Sequence, residues 1–304
     1  MCLVSLTGIG FGAQPVHAQN LTFQDIQKLP VTPADRRIFY GSDPLQFGEL
    51  RLPEGKGRHP VAIIIHGGCW YSEYDLKHVA AFAETLTELG IAAWVIEYRR
   101  IGDVGGGWPG TFNDVAKGVD FLRTLAKPYR LDLARVIMVG HSAGGQLALW
   151  LASRNTSSRG MPAHSVRPLR LRGVVSLAGI TDLQKFEPRC GGAAGKLLGG
   201  SPSEVPDRYS QTSPIKLLST LVPQRLIHGA RDAIVPVELA REYEAALKKR
   251  GGNVKLTVVE EAGHFELIAP ESAAWPAVKA AALSLTRRKA PHRAGRYADG
   301  KVSR

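Results

Sequence analysis

Short runs of consecutive apolar residues recur along the chain, separated by longer segments in which apolar residues return every three or four positions. Runs without polar alternation are typical of strands that are buried on both faces of a parallel sheet. The longer segments have the period of helices with one apolar face. The pattern therefore predicts an α/β fold, with a mostly parallel central sheet of about eight strands and helices on both faces.

The individual elements follow from this pattern and from the positions of glycine and proline. Residues 36–40 and 45–52 alternate apolar and polar residues, which predicts a hairpin at the edge of the sheet. Buried strands are predicted at residues 61–65, 91–98, 136–139, 173–178, 224–228 and 255–259. Helices are predicted at residues 76–89, 111–125, 146–152, 236–250 and 276–286. Thr111 and Asp114 have the spacing of an N-terminal capping box for the second of these helices.

One domain is predicted at residues 36–286. Within it, residues 180–221 have no long period and are rich in Gly, Pro and Ser, which predicts a cap or lid on the ligand side of the sheet. The composition of residues 287–304 predicts a basic, disordered tail. Residues 1–20 are either a signal peptide or a flexible leader.

The leader matches a signal peptide only in part. Residues 3–13 are mildly apolar and Val16-His17-Ala18 resembles a cleavage site, but no basic residue precedes the apolar run. The protein is therefore either exported, to the periplasm or the medium, or cytoplasmic. No later run of about 18 apolar residues occurs, so no transmembrane segment is predicted.

The formal net charge of +12 is concentrated in two segments. Residues 287–304 carry seven Lys or Arg and one Asp, and residues 154–172 carry five Arg and no acid, so together they hold all but one unit of the excess. Nucleic-acid binding would need a basic folded face with interleaved aromatic residues. The sequence therefore predicts no nucleic-acid partner, and it gives no indication of the oligomeric state.

The stretch Gly140-His141-Ser142-Ala143-Gly144 lies between a predicted strand and a predicted helix. A serine at the apex of such a turn projects its hydroxyl from the backbone, and glycines two residues away on each side leave room for the turn. The following helix N-terminus offers N–H groups to an anionic intermediate. The motif also arises by chance in a chain with 33 glycines. The strand and helix around it therefore carry the prediction that Ser142 is a nucleophile.

Other candidate catalytic residues follow the carboxyl ends of predicted strands, where open parallel sheets bind their ligands. The segment His66-Gly67-Gly68-Cys69-Trp70 follows one strand, Asp232 another and His264 the last. The order of nucleophile, acid and base resembles that of the α/β-hydrolase superfamily, over almost all of residues 38–286. Residues 66–70 resemble the His-Gly-Gly-x-Trp motif of the kynurenine-formamidase-like and small-esterase families, including those similar to feruloyl-esterase domains. Cys69 stands where the lipase form of this motif has a third glycine.

The resemblance implies a role for each of these residues. His264 would accept the Ser142 proton, and Asp232 would hold the imidazole and stabilise its charged form. The oxyanion would be bound by backbone N–H groups, at positions Gly67, Gly68, Cys69 and Ala143. Asp182 also follows a strand and is the alternative acid, although in the resembled families that segment belongs to the cap.

The remaining candidates are two histidines and two tryptophans. His66 is expected to order its loop through hydrogen bonds, and His141 to pack beside the nucleophile. Trp70 and Trp108, with His141, are the candidates for substrate binding, and both tryptophans fit the hydrophobic core equally well. No metal or cofactor is predicted, because the nine histidines lack ligand spacing. The glycines at 105–107 are also not followed by the Lys-Ser/Thr of a phosphate loop.

The three cysteines are Cys2, Cys69 and Cys190. If Cys2 is removed with the leader, an even pair remains, which suits an oxidising compartment. One hypothesis is a disulfide between Cys69 and Cys190 that ties the lid to residues 66–70. The alternative is two separate buried thiols, since pairing needs Cα atoms within about 7 Å and the sequence does not show that distance.

The sequence predicts a serine hydrolase that cleaves a small, largely uncharged carboxylic ester through an acyl-enzyme. An arylformamidase acting on N-formylkynurenine-type amides is the alternative, because ester and amide hydrolysis share this machinery. A non-catalytic binding protein on the same fold is a third hypothesis, against which the complete set of Ser142, Asp232 and His264 argues. A serine exopeptidase is disfavoured, because the chain has no propeller-sized N-terminal extension and no acidic pair placed for an amino terminus.

Overall fold

The computed structural model describes residues 20–154 and 167–287. The leader up to residue 19, residues 155–166 of the arginine-rich segment and residues 288–304 of the basic tail lie outside the described residues. The predictions made for the leader and the tail therefore fall almost entirely outside the described ranges.

Eight strands form one sheet, and their order confirms the predicted α/β class. The strands are β1 (Arg36–Phe39), β2 (Phe47–Arg51), β3 (His59–Ile65), β4 (Ala92–Ile96), β5 (Leu131–His141), β6 (Gly173–Leu177), β7 (Gln224–Gly229) and β8 (Val254–Val259). Their spatial order is β1-β2-β4-β3-β5-β6-β7-β8. β2 is antiparallel to β1 and β4, and the other neighbouring pairs are parallel.

Helices connect the strands and cover the sheet. They are α1 (Phe23–Gln27), α2 (Ala80–Glu88), α3 (Gly110–Asp120), α4 (Leu122–Ala126), α5 (Ala143–Ala152), α6 (Leu183–Phe186), α7 (Ala193–Leu198), α8 (Pro206–Thr212), α9 (Pro214–Leu217), α10 (Val237–Lys249) and α11 (Trp275–Thr286), with 3₁₀ helices at Leu76–Val79 and Glu266–Ile268. Residues 180–221, which we call the lid segment, contain the short helices α6 to α9. Within the described ranges, no helix has the length and apolar character needed to cross a membrane.

Alternate residues of the central strands face two separate hydrophobic cores. Ile63 and Ile65 of β3 belong to the core that contains the apolar faces of α3, α5 and α10. Ala62 and Ile64 belong to the core beneath α2 and α11. Because both faces of β3 are buried, its sequence has no polar alternation. Parallel pairing then brings the carboxyl ends of the central strands to one edge, with Ile65 of β3 opposite Gly140 of β5.

A partly buried ion pair, in which the Asp114 side chain is buried, holds α3 against the loop after β4. The Asp114 carboxylate accepts hydrogen bonds from Nε and Nη2 of Arg99, both at 2.7 Å, and from Nε2 of Gln46 at 2.7 Å. The predicted capping box is therefore wrong, because α3 begins at Gly110 and the Asp114 side chain is used in this network. The Thr111 hydroxyl instead donates to the Arg99 carbonyl oxygen at 2.6 Å.

We expect Asp114→Ala to lower the free energy of unfolding by about 2 kcal/mol, because it leaves the buried amide of Gln46 and the partly buried guanidinium of Arg99 without an acceptor. Urea denaturation followed by tryptophan fluorescence measures this change. Glu242→Ala is the control, since Glu242 forms an exposed ion pair with Lys185 at 2.6 Å and its loss should cost less than about 1 kcal/mol. Equal losses in the two variants would contradict a stabilising role for the partly buried pair.

Candidate active site

Ser142 occupies a strained turn between β5 and α5. Its backbone has φ 55° and ψ −119°, a conformation that residues other than glycine rarely adopt. A Cβ atom at Gly140 would lie 2.1 Å from the carbonyl oxygen of Gly144, and one at Gly144 would lie 2.1 Å from that of Ile65. Only glycine fits at these positions, so the sequence allows the tight turn, which we call the elbow (residues 140–144).

The loop after β3 packs directly on the elbow. A Cβ atom at Gly67 would lie 2.9 Å from the His141 carbonyl oxygen and 3.1 Å from Ser142 Cβ. We call residues 66–70 the oxyanion loop. Gly67 thus lies where this loop contacts the elbow. It is not among the residues that line the cavity around Ser142.

Three backbone N–H groups beside Ser142 are available to a ligand. Gly68 and Cys69 line the same cavity as Ser142, and Ala143 is the first residue of α5, where a helix leaves its N–H groups without intrahelical acceptors. Within residues 20–154 and 167–287, the N–H groups of Gly68, Cys69 and Ala143 have no hydrogen-bond acceptor. They are suited to bind a negatively charged oxygen.

His66 orders the oxyanion loop, as expected. Its Nδ1 lies 2.9 Å from the Gly67 carbonyl oxygen, its Nε2 lies 3.0 Å from Oε1 of Glu97, and its ring stacks on Tyr98 at 4.5 Å. Burial of Glu97 opposes its ionisation, but the charges and hydrogen bonds of His66 and Arg100 outweigh burial and lower the pKa of this carboxyl group. The loop is therefore held by a buried, charged network.

His264 and Asp232 form the second half of the site. His264 Nδ1 lies 2.7 Å from Asp232 Oδ2, while Oδ1 of Asp232 accepts hydrogen bonds from the N–H groups of Ile234 and Val235, each at 2.9 Å. Burial of Asp232 opposes its ionisation, yet hydrogen bonds from His228 and His264 prevail and lower its pKa below the ordinary value. Asp232 is therefore a carboxylate at neutral pH, oriented toward the imidazole.

Asp182, the alternative acid, lies elsewhere and has a structural role. It is the N-cap of α6, and its Oδ1 accepts hydrogen bonds from the N–H groups of Gln184 and Lys185 at 3.0 and 3.2 Å. An aspartate that caps a helix in this way has its carboxylate committed to the backbone. The structure thus brings Asp232, and not Asp182, to His264.

A chain of histidines supports the backbone of His264. His141 Nε2 lies 3.0 Å from the carbonyl oxygen of His264, and His141 Nδ1 lies 2.9 Å from His78 Nε2. Burial lowers the pKa of both His78 and His141 well below the usual range, so both rings are neutral. Because a carbonyl only accepts, His141 carries its hydrogen on Nε2 and accepts at Nδ1 from His78. His141 therefore positions the loop of His264.

Ser142 and His264 share one cavity of about 430 Å³, most of whose other lining residues are apolar or aromatic. Its lining residues are Phe23, Gly68, Cys69, Tyr74, His78, Ser142, Arg189, Cys190, Ala233, Ile234, His264 and Phe265. Among the side chains that line it, the charged group is Arg189. The cavity has the size and character of a small-molecule site.

None of the three residues proposed from sequence for substrate binding lines this cavity. Trp70 is completely buried and packs edge-on against Phe186 at 6.2 Å. Trp108 packs against Phe112 at 5.5 Å and is not among the residues that line the cavity. His141 lies behind the elbow in the histidine chain. The two tryptophans pack in or against the hydrophobic core, which buries their large apolar area, while hydrogen bonds to His264 and His78 hold His141 in place.

The N-terminal residues form a wall of the cavity that the sequence did not predict. Phe23 of α1 contacts Tyr74 and Phe265, with ring centroids 5.1 and 6.1 Å apart. The Glu266 carboxylate accepts hydrogen bonds from the N–H groups of Leu21 at 2.6 Å and Gly263 at 2.9 Å, which joins this segment to the loop of His264. The packed structure therefore begins ahead of the predicted domain boundary at residue 36.

A protein-family model described as BD-FAE matches residues 49–247, more than half of the 304-residue chain. The chain belongs to the BD-FAE family. The matched region contains Ser142 and Asp232, and His264 follows it along the sequence.

Among curated proteins, the BD-FAE chain is 25% identical to the probable carboxylic ester hydrolase LipM of Mycobacterium tuberculosis, over 64% of this chain and 46% of LipM. It is 27% identical to esterase LipC of the same organism, over 70% of this chain and 55% of LipC. The chain thus spans about half the length of these curated relatives. Among solved structures, a truncated form of a carbohydrate esterase from gut microbiota has a TM-score of 0.74, at 21% identity, over 84% of this chain and 99% of that one. This likeness confirms the α/β-hydrolase fold.

A disulfide in this BD-FAE domain joins the oxyanion loop to the lid segment. Cys69 and Cys190 are bonded, with their Cα atoms 6.4 Å apart and 121 positions apart in sequence. The Cys190 carbonyl oxygen also accepts a hydrogen bond from the Tyr71 hydroxyl at 3.0 Å. Of the two alternatives that the sequence left open, the structure has the bonded pair.

We expect Cys69 and Cys190 to resist alkylation when this protein is prepared from an oxidising compartment without reductant. Peptide mass spectrometry should recover the two cysteines in one linked peptide pair, and reduction should convert both into alkylated peptides. Protein unfolded in denaturant before alkylation controls for simple burial of free thiols. Two alkylated cysteines in unreduced, denatured protein would contradict the bond.

Proposed function

We propose that this protein is a serine-dependent hydrolase of small carboxylic esters. The observation that carries the proposal is the hydrogen bond of 2.7 Å between Asp232 and His264, since His264 lines the same cavity as Ser142. The esterase names of LipM and LipC support the reaction class. Ester hydrolysis is favoured over formamide hydrolysis, since these relatives are named for esters.

The proposed reaction begins with attack of Ser142 Oγ on the ester carbonyl carbon. The serine proton passes to Nε2 of His264, the ring nitrogen that faces away from Asp232, and the carboxylate stabilises the imidazolium that forms. His264 then donates this proton to the departing alcohol. A water molecule, deprotonated by His264, attacks the acyl-enzyme and releases the acid, and the proton returns to Ser142.

The tetrahedral oxygen that forms in both steps carries a negative charge. The free N–H groups of Gly68, Cys69 and Ala143 are placed to bind it, and loss of one such donor typically costs about 3–4 kcal/mol of barrier lowering. Because these donors belong to the backbone, their position depends on the packing of the oxyanion loop against the elbow. The complete set of donors and titratable groups also argues against a non-catalytic binding protein.

We expect Ser142→Ala to lower kcat for p-nitrophenyl acetate by about 10⁴-fold or more, since the variant has no nucleophile. Circular dichroism should show an unchanged fold, because alanine removes only the hydroxyl. A variant that keeps a tenth of the wild-type activity would contradict the assignment of the nucleophile. Assays with N-formylkynurenine on the wild-type protein test the alternative, and faster turnover of that amide would favour the arylformamidase.

We expect Asp232→Asn to lower kcat by several orders of magnitude, because an amide favours the wrong imidazole tautomer at His264. Asp182→Asn is the matched control, as it makes the same chemical change in a helix cap and should leave kcat within a few-fold of wild type. Steady-state kinetics with p-nitrophenyl acetate compare the two variants. A larger loss of kcat in Asp182→Asn than in Asp232→Asn would instead identify Asp182 as the acid.

A further inference from the structure

We propose that Arg189 forms an anion-binding subsite at the mouth of the catalytic cavity, and that the preferred esters carry a carboxylate in addition to the ester group. This inference rests on the proposed esterase function and names its substrate class. It revises the expectation of a largely uncharged substrate that the sequence alone supports.

The Arg189 side chain is exposed and has no partner among the described residues. It lines the cavity that holds Ser142 and His264, and within residues 20–154 and 167–287 its side chain has no ion pair or hydrogen bond. Two other cations of the lid segment differ in this respect, since Lys185 pairs with Glu242 at 2.6 Å and Lys196 donates to the Tyr71 hydroxyl at 3.2 Å. The guanidinium of Arg189 is therefore available to a ligand.

The backbone of Arg189 is fixed beside the oxyanion loop. Its N–H donates to the Phe186 carbonyl oxygen at 2.9 Å, and its own carbonyl oxygen accepts from the N–H of Gly192 at 3.1 Å. The next residue, Cys190, is bonded to Cys69 of the oxyanion loop. These constraints hold the base of the side chain at the rim, so that only the side chain needs to be ordered when an anion binds.

In the part of the chain that the structure describes, no carboxylate side chain lines the cavity to neutralise this charge. Asp232, whose side chain is fully buried, directs its oxygens to His264, His228 and two backbone N–H groups. Glu187 is close in sequence but is not among the residues that line the cavity, and its Oε1 lies beside Gly195, 3.2 Å from where a Cβ atom would be. The cavity therefore presents one unpaired positive charge to an otherwise apolar and aromatic surface, a field that attracts anionic ligands.

The planar guanidinium group of arginine matches the geometry of a carboxylate, to which it can donate two parallel hydrogen bonds. Because Arg189 is exposed, the contact is screened by water and salt, so a modest preference for anionic over neutral esters is expected.

We expect wild-type protein to hydrolyse mono-p-nitrophenyl adipate with a higher kcat/KM than its neutral methyl ester, after subtraction of spontaneous hydrolysis. The difference should lie mainly in KM and should shrink as sodium chloride is raised.

Variants of Arg189 and Lys185 test the subsite through the ratio of kcat/KM for the anionic substrate to kcat/KM for the neutral one. We expect Arg189→Gln to lower the anionic-to-neutral ratio about five-fold, Arg189→Lys to retain part of it, and Lys185→Gln, which removes a paired cation outside the cavity, to leave it at the wild-type value. A ratio unchanged in Arg189→Gln, or lowered equally in Lys185→Gln, would overturn the subsite.

A binding measurement separates this inference from the proposed function. In Ser142→Ala, which cannot turn over an ester, calorimetry should show tighter binding of monomethyl adipate than of dimethyl adipate, and the further change Arg189→Gln should remove the difference. Equal affinities for the two ligands before that change would overturn the subsite even if the wild-type protein hydrolyses esters. The binding difference without any hydrolysis would instead support the subsite and reject the esterase.

Discussion

Backbone contact between the ends of β3 and β5 is the constraint on which the site depends. The parallel register places Ile65 opposite Gly140, and three glycines, Gly67, Gly140 and Gly144, allow main-chain atoms to meet where any side chain would collide. This contact forces Ser142 into its left-handed conformation and places the oxyanion loop beside it. The nucleophile and the groups that would bind the oxyanion are therefore parts of one packed unit.

Burial determines the electrostatic state of the rest of the site. His78 and His141 are kept neutral by burial, so they act as oriented dipoles that support the loop of His264. Asp232 and Glu97 are buried as well, but hydrogen bonds and neighbouring positive groups keep them ionised. The fold thus uses two neutral histidines to support the loop of His264, and two ionised carboxylates to orient His66 and His264.

Local sequence patterns predicted the parts of the site that local geometry determines. Ser142, Asp232 and His264 each follow a strand whose apolar run is readable, and parallel pairing brings such positions together. The outer wall could not be predicted in this way, because Phe23 and Arg189 reach the cavity through long-range packing. Thr22 and Asp25 do form a capping box at α1, a local signal that could have revealed this helix. No pattern in the sequence, however, indicates where that helix docks.

The most direct test of this account is labelling of the folded, wild-type protein with a fluorophosphonate, followed by peptide mass spectrometry. The account predicts one phosphonyl group per chain, attached to Ser142, because the elbow, His264 and the oxyanion loop activate that hydroxyl alone. Labelling should be lost in Asp232→Asn and kept in Asp182→Asn. Absence of a stable adduct in the wild-type protein, or an adduct on a residue other than Ser142, would contradict the central claim.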